Sequence, residues 1–398
     1  MQGRNYITRR SFLGLSAATA ASVILAGCSS SGASSSSAAA SAASSSASAS
    51  SSAASSSAAS AASSSAASSS AAASAAASGA RPLVRLGTTN DGHIFNAIAS
   101  AQGFLEEEGV DVQVSVFSSS DEAFAALFSN KVDVLSNQGT NLPLTHIAQG
   151  QDLTIYAGYM ITGCMPIIAP AGTKWNGVED LVGKTIACSG NEFAVFGPLY
   201  DMGHTMDEVT TIVLSNHADR VEAVATGKAD YAICGTSQNY NISQKPEVEV
   251  MCYCSDITPN YSCCRVESTQ AFIDANKEGL TAMLRAWLRA QNWYENNKDA
   301  TAQLVVDQTG SNLDFVHAYM DNEHYRLNLD PFKKSVERAW NWMLEMGLFP
   351  DGADKINVDD HINTEMYKEA LDACTAKYAS EDKAFYDKMN KIFEENDA

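Results

Sequence analysis

From residue 83 onward the apolar positions switch repeatedly between a period of two and a period near 3.6. Residues 83–89 form a short apolar run ending in Gly and Thr. Residues 94–110 then place Ile94, Ala97, Ile98 and Ala101 at helical spacing and close on acids and Gly109, which predicts one helix. Residues 110–117 alternate as a strand. Residues 121–136 give a capped helix, a turn at Asn130 and a further strand. This is a βαβαβ pattern, the wiring of a parallel sheet that binds ligands beyond the carboxyl ends of its strands.

A second unit follows. Residues 175–200 read as turn, short helix, strand, loop and the start of a helix. Residues 210–216 read as a strand, 218–236 as helix, turn and strand, and 247–254 as one more strand. The chain then turns helical. Leu280, Met283, Leu284, Trp287, Gln291 and Tyr294 share one face, as do Phe332, Val336, Ala339, Trp340, Met343 and Leu344. Both stripes are expected to be core packing.

The N-terminus changes the picture of where this domain works. Residues 8–15, TRRSFLGL, carry paired arginines; a small and apolar run follows and ends in LAGC at Cys28. That order predicts a twin-arginine lipoprotein signal over residues 1–28, with lipid on the Cys28 thiol anchoring the chain to the outer face of the cytoplasmic membrane. Residues 29–80 are almost entirely Ser and Ala and have no large apolar side chain to repay ordering. They are expected to act as a disordered tether with a reach on the order of 40 Å. The formal net charge of −20 includes three arginines of this leader, so the remaining domain is more acidic still. Such a surface argues against nucleic acid as a partner.

The segments AQGFLEEEGVDVQV, FAALFSNKVDVLSNQG, WNGVEDLVGKTIAC, RVEAVATGKADYAI, STQAFIDANKEGLTAMLRAW and LDPFKKSVERAWNWMLEMGLF, in that order, resemble the type II periplasmic-type solute-binding proteins. The branch is that of the nitrate, sulfonate and thiamine-precursor receptors of ABC importers. The resemblance implies an α/β fold of two lobes joined by a two-strand hinge, lobe one being residues 81–172 plus 258–398 and lobe two 173–257. It also implies a monomeric, non-enzymatic receptor without cofactor or metal, which clamps a small solute between the lobes. Its partners would be an ABC permease and that permease's ATPase.

In such a fold the strand-end loops face the cleft. They supply Asn90, Asp91, His93, Asn137, Gln138, Thr140, Tyr159, Ser189, Asn191, Glu192, Phe193 and Thr236, and the return crossing adds Asp256. The loops are rich in hydrogen-bonding residues and hold no Lys or Arg. A sulfonate held by hydroxyls and backbone N–H groups fits them. Asp91, Glu192 and the flat faces of Tyr159 and Phe193 together suit an amine-bearing or heteroaromatic solute better than a bare oxyanion. Asp91 and Glu192 also read as helix-cap acids, and His93 reads equally as a ligand contact, a general base or a hydrogen-bonded loop histidine.

Motifs for catalysis are sparse. GTTNDGH at 87–93 has His93 where a phosphate loop needs lysine, and G-x-S-x-G, H-E-x-x-H and G-x-G-x-x-G are absent. The enzymatic alternative rests on Cys252, Cys254, Cys263 and Cys264, as a metal or redox cluster. It also rests on a resemblance to fungal-type thiamine-pyrimidine synthases, carried by GNEF at 190–193 and the Cys263–Cys264 pair. That resemblance departs from its family at the cysteine run, which is two residues long instead of four around a Phe, and at Leu142, which stands where the family has histidine. As a strand, the segment would put Cys252 and Cys254 on one face and point Cys263 and Cys264 to opposite faces. Neither pair has the two-residue gap of structural zinc. A disulfide across the two pairs remains open on the sequence.

Overall fold

A computed structural model describes residues 81–89 and 92–398. The leader with Cys28, the tether, Asn90 and Asp91 lie outside the described residues. Eleven strands form two sheets, each flanked by helices: the two-lobed α/β architecture of the periplasmic-binding-protein fold.

The first sheet contains β1 (Leu83–Thr88), β2 (Asp111–Val116), β3 (Val134–Gly139), β4 (Thr154–Gly163), β10 (Cys264–Ser268) and β11 (Tyr325–Leu327), in the order β11-β4-β10-β3-β1-β2. β1 is parallel to β2 and β3, whereas β10 runs antiparallel between β3 and β4. All ten residues of β4 are buried, as expected for a strand covered on both faces. The second sheet contains β5 (Pro166–Pro170), β6 (Thr185–Cys188), β7 (Thr210–Val213), β8 (Tyr231–Ile233) and β9 (Val248–Tyr253), in the order β7-β6-β8-β5-β9.

The chain passes between the sheets twice. The first crossing is Cys164–Met165, because β5 pairs with β8 and β9 of the second sheet. This corrects the boundary placed at residue 172. GYMITGCMPIIAP is a mostly apolar run, and the reversal inside it is made by Cys164 at φ 40°, a left-handed position where Gly or Asn would be the usual residue. The second crossing runs from β9 through residues 254–263 into β10.

The helix predicted over 94–110 is two helices, α1 (Ile94–Ala101) and α2 (Phe104–Glu108). Gly103 at φ 78° sits between them in the left-handed region, which ends the first helix and caps the second. The helices that position the cleft are α3 (Ser120–Phe128), α4 (Asn141–Ala148), α5 (Phe193–Asp201), α6 (His217–Ala225), α7 (Gln238–Ser243) and the short α8 (Cys254–Ile257). The C-terminal part adds α9 (Gln270–Asn296), α10 (Lys298–Thr309), α11 (Leu313–Met320), α12 (Lys333–Glu345), α13 (Thr364–Tyr378) and α14 (Lys383–Asn396). The stripe Leu280, Met283, Leu284, Trp287, Gln291 and Tyr294 is buried along α9, so its aromatics are core. Among the described residues no helix is long and apolar enough to cross a membrane.

Candidate functional site

Between the lobes lies a small cavity of about 10 Å³, room for one water. Asn137, Tyr159 and Met160 line it from the first sheet, Thr236 and Ser237 from the loop after β8, and Tyr319 and Tyr325 from α11 and β11. No lining side chain is charged. Hydroxyls and one amide dominate, so the site offers hydrogen bonds and flat faces to whatever enters it.

The first sheet fixes its share of the lining firmly. Asn137, held at φ 65°, donates from Nδ2 to Thr89 Oγ1 (3.0 Å) and the Gly92 carbonyl (3.1 Å). The Tyr159 hydroxyl accepts the Ile94 N–H at 3.0 Å, tying β4 to the start of α1. His93 caps α1, its Nδ1 accepting from the Asn96 N–H at 3.1 Å, which leaves the ring proton on Nε2. The imidazole is sandwiched between Tyr159 (centroids 4.2 Å apart) and Trp287 (4.1 Å). Burial pushes its pKa down to about 3, so it is neutral throughout the physiological range. His93 is therefore a packed, helix-capping histidine whose Nε2 has no hydrogen-bond partner.

Gln138 points away from the cavity lining. It is fully buried, and neither its Nε2 nor its Oε1 has a partner. Thr140 is fully buried, its N–H donating to Cys263 O at 2.9 Å and its hydroxyl to Ser262 O, so it joins β3 to the second crossing.

The GNEF loop closes on itself. Glu192 accepts from Ser189 Oγ (2.6 Å), Ser189 N–H and Gly190 N–H (3.0 Å), and its Oε1 lies 3.5 Å from Arg220 Nη1 in a buried ion pair. Its charge is answered inside lobe two, which disfavours a counter-ion role toward an amine, although its side chain makes no capping bond to α5. Ser189 Oγ also lies 2.9 Å from Asn191 Oδ1, and Phe193 is buried at the start of α5. Asn191 does reach across: its Oδ1 accepts from Asn141 Nδ2 of lobe one at 2.7 Å. Asp256 sits half-exposed on α8, accepting from the Tyr253 N–H at 2.8 Å with His324 Nδ1 at 3.7 Å, and does not line the cavity.

Further bonds hold the lobes together. The Thr236 hydroxyl donates to Gly163 O, Asn239 Nδ2 to Cys164 O (3.0 Å), and Thr258 Oγ1 to Ala194 O (2.7 Å). The described form is closed.

Of the remaining lining residues, Met160 and Ser237 stand in the same strand-end segments as Tyr159 and Thr236, whereas Tyr319 and Tyr325 were not among the residues expected at the cleft. The two tyrosines come from segments far along the chain, and nothing local in LDFVHAYM or in β11 marks a cleft residue. Two cysteine expectations are also corrected. Cys254 opens α8 and does not alternate on β9 with Cys252. Cys263 and Cys264 do not diverge: their sulfurs are 3.6 Å apart, Cys263 lying ahead of β10 and outside the strand in which alternation would hold. All eight described cysteines are free thiols. Among the described residues no three His, Cys, Asp or Glu side chains converge as a metal site.

Solved structures with this fold include the aliphatic sulphonate-binding protein SsuA of Escherichia coli. It is 16% identical, with a TM-score of 0.61 over 72% of this chain and 99% of that one. The alkanesulfonate-binding SsuA of Xanthomonas axonopodis pv. citri, bound to MOPS, is 17% identical, with a TM-score of 0.58 over 71% and 98%. The nitrate-binding protein NrtA of Synechocystis PCC 6803 is 16% identical, with a TM-score of 0.59 over 74% and 89%. No curated protein matches the sequence. The family model described as "NMT1/THI5 like" matches residues 90–301, more than half of the chain, and takes in the whole second sheet, four of the six strands of the first and both hinge crossings. The chain belongs to the NMT1/THI5-like family.

Proposed function

We propose that this protein is the extracytoplasmic solute receptor of an ABC importer, held to the membrane by lipid on Cys28. It captures a small polar organic solute between its lobes and presents the closed form to a permease. The observation that carries the reading is the interlobe cavity, to which both lobes contribute hydroxyl or amide side chains around an uncharged lining. Closure is then an equilibrium biased by a ligand that touches both lobes at once.

Of the two solute chemistries the loops admit, the sulfonate-like one is favoured. Glu192 is already ion-paired with Arg220 and so offers an amine no free carboxylate, while the lining is uncharged and rich in hydroxyls. The sulfonate- and nitrate-binding neighbours are consistent with that preference. The reading is non-enzymatic: the cavity holds no nucleophile beside a base, and His93 is committed to capping α1.

A thermal-shift screen of the full chain against sulfonates, nitrate, amines and pyrimidines tests it. A ligand at one hundred times its Kd adds about 2.7 kcal/mol to stability. A rise in Tm with a sulfonate, and no turnover of that compound, is expected. No response across the panel would contradict the reading.

A further inference from the structure

The second crossing carries two adjacent cysteines that the solute reading does not use. Their sulfurs, Cys263 Sγ and Cys264 Sγ, lie 3.6 Å apart, and both residues are buried. The segment just ahead of them is strained. Asn260 and Ser262 stand at φ 50° and 57°, in the left-handed region, where the Cβ of serine crowds the backbone. Strain of this kind persists only where the surroundings impose it, and it gathers at sites that switch. Cys264 pairs with Met160 of β4, a residue that lines the interlobe cavity, so the thiol pair borders the cleft.

The main chain around the pair ties the hinge together. Cys263 N–H donates to Ile161 O of β4 (3.2 Å), and Cys263 O accepts the Thr140 N–H (2.9 Å). The Thr140 hydroxyl donates to Ser262 O. The Tyr261 hydroxyl accepts the Gly163 N–H at 2.8 Å, which joins the second crossing to the end of β4, directly before the first crossing. Thr140 in turn precedes α4, whose first residue, Asn141, donates across the cleft to Asn191. A turn of the Cys263 peptide therefore reaches the contact between the lobes through one threonine.

Sulfurs 3.6 Å apart must approach by about 1.5 Å to form a disulfide. Adjacent residues hold their Cα atoms about 3.8 Å apart, short of the roughly 4.4–6.8 Å that a disulfide usually spans. The ring that results, made of the two side chains and the peptide between them, is strained and readily reduced. It closes only if the Cys263 peptide turns, and the bonds of Cys263 O and Ser262 O to Thr140 oppose that turn. Free thiols with the Thr140 bonds, or the ring without them, are the two states available.

We infer that Cys263 and Cys264 are a redox modification site, joined reversibly to each other by a small-molecule disulfide, and that the oxidised form closes less readily. The oxidant, RSSR, reaches the pair from the cleft, past Met160, when the lobes part. One protein thiolate attacks it, forming a mixed disulfide and releasing RS⁻. The second thiolate attacks the protein sulfur of that adduct, forming the Cys263–Cys264 bond and releasing the second RS⁻. The two thiol protons end on the two RSH, so the pair is oxidised and RSSR reduced. The ring turns the Cys263 carbonyl off Thr140, frees the start of α4 and weakens the Asn141–Asn191 contact. None of this depends on which solute the cleft holds, so it stands or falls apart from the solute reading.

The test equilibrates the full chain with glutathione and glutathione disulfide at graded ratios, then quenches in acid, denatures, alkylates and maps the peptides by mass. In oxidising mixtures the peptide holding Cys263 and Cys264 should lose two hydrogens and take up no alkylating agent, and dithiothreitol should restore both sites. The other described thiols should stay alkylated throughout. Small-angle scattering should give a larger radius of gyration for the oxidised chain than for the reduced one. Cys263→Ser and Cys264→Ser, with their fold checked by circular dichroism, should lose that redox-dependent change; the wild-type measurements decide the matter should a variant not fold. Full alkylation of both cysteines at the most oxidising ratio, a bridge from either of them to Cys252 or Cys254 instead, or an oxidised chain with the radius of the reduced one would each overturn the proposal.

Discussion

The indole Nε1–H of Trp342 donates to both carboxylate oxygens of Asp201, at 3.1 and 3.0 Å, and so joins α12 of lobe one to α5 of lobe two. The same ring covers Gly197, where a Cβ would stand 2.2 Å from Trp342 Cδ2. This contact belongs to the closed form itself and adds to whatever a solute contributes. Gly197→Ala should therefore disfavour closure, since backbone and a rigid ring cannot both give way. Small-angle scattering should show a larger radius of gyration. Trp342→Phe, which loses only the hydrogen bonds, should cost about 1–3 kcal/mol of closure and weaken solute binding accordingly. Wild-type dimensions in Gly197→Ala would contradict the assignment.

Trp342 also shows where the sequence was legible and where it was not. The stripe on α12 was placed correctly at Val336, Ala339, Trp340 and Met343, because core-facing residues obey the helical period. Trp342 lies off that stripe and is buried because a second lobe comes to meet it, which no local period encodes. The same holds for Tyr319 and Tyr325. Asn137, Tyr159 and Thr236, which line the interlobe cavity, stand at strand ends, where topology alone dictates access. Gln138 and Thr140 share that position but turn into the core.

His93 makes stability pH-dependent. Its folded pKa, about 3, lies below the unfolded value near 6.5, so the neutral ring's contribution is full above pH 6.5 and is lost as pH falls toward 3. The loss approaches about 1.4 kcal/mol per pH unit in that window. His93→Phe keeps a ring between Tyr159 and Trp287 but cannot titrate. Urea midpoints for the two proteins should therefore converge or cross as pH falls from 7 to 4, and parallel curves would count against a buried neutral His93.

Asp330 behaves in the opposite sense. Burial and the neighbouring Asp397 carboxyl raise its pKa far above the carboxylate range, so the folded state holds a proton that the unfolded chain releases. Stability from this group is full below the unfolded pKa, near 4, and declines as pH rises. Asp330→Asn keeps the acceptor for the Phe332 N–H and removes the titration. It should raise Tm at pH 8 and change little at pH 4; a lower Tm at pH 8 would refute the shared-proton picture.

Breaking the buried Glu192–Arg220 pair by Glu192→Gln strands a guanidinium and should cost about 3 kcal/mol, read as a lower Tm. Because Glu192 caps its own loop, the folded fraction of the variant should still bind a sulfonate-like solute within about threefold of wild type. Complete loss of binding in folded Glu192→Gln would return Glu192 to the solute-contacting set.

The central claim is that a small solute binds between the lobes, against the residues that line the interlobe cavity when the cleft is shut. Isothermal titration of the full chain with the sulfonate that raises Tm most, repeated on Ser237→Trp and Thr236→Val, addresses it most directly. The account predicts one site per chain, abolished when the indole blocks the cleft at Ser237 and weakened about tenfold when the Thr236 bond to Gly163 O, which helps hold the lobes shut, is lost. Unchanged stoichiometry and affinity in Ser237→Trp would place the solute elsewhere and contradict it.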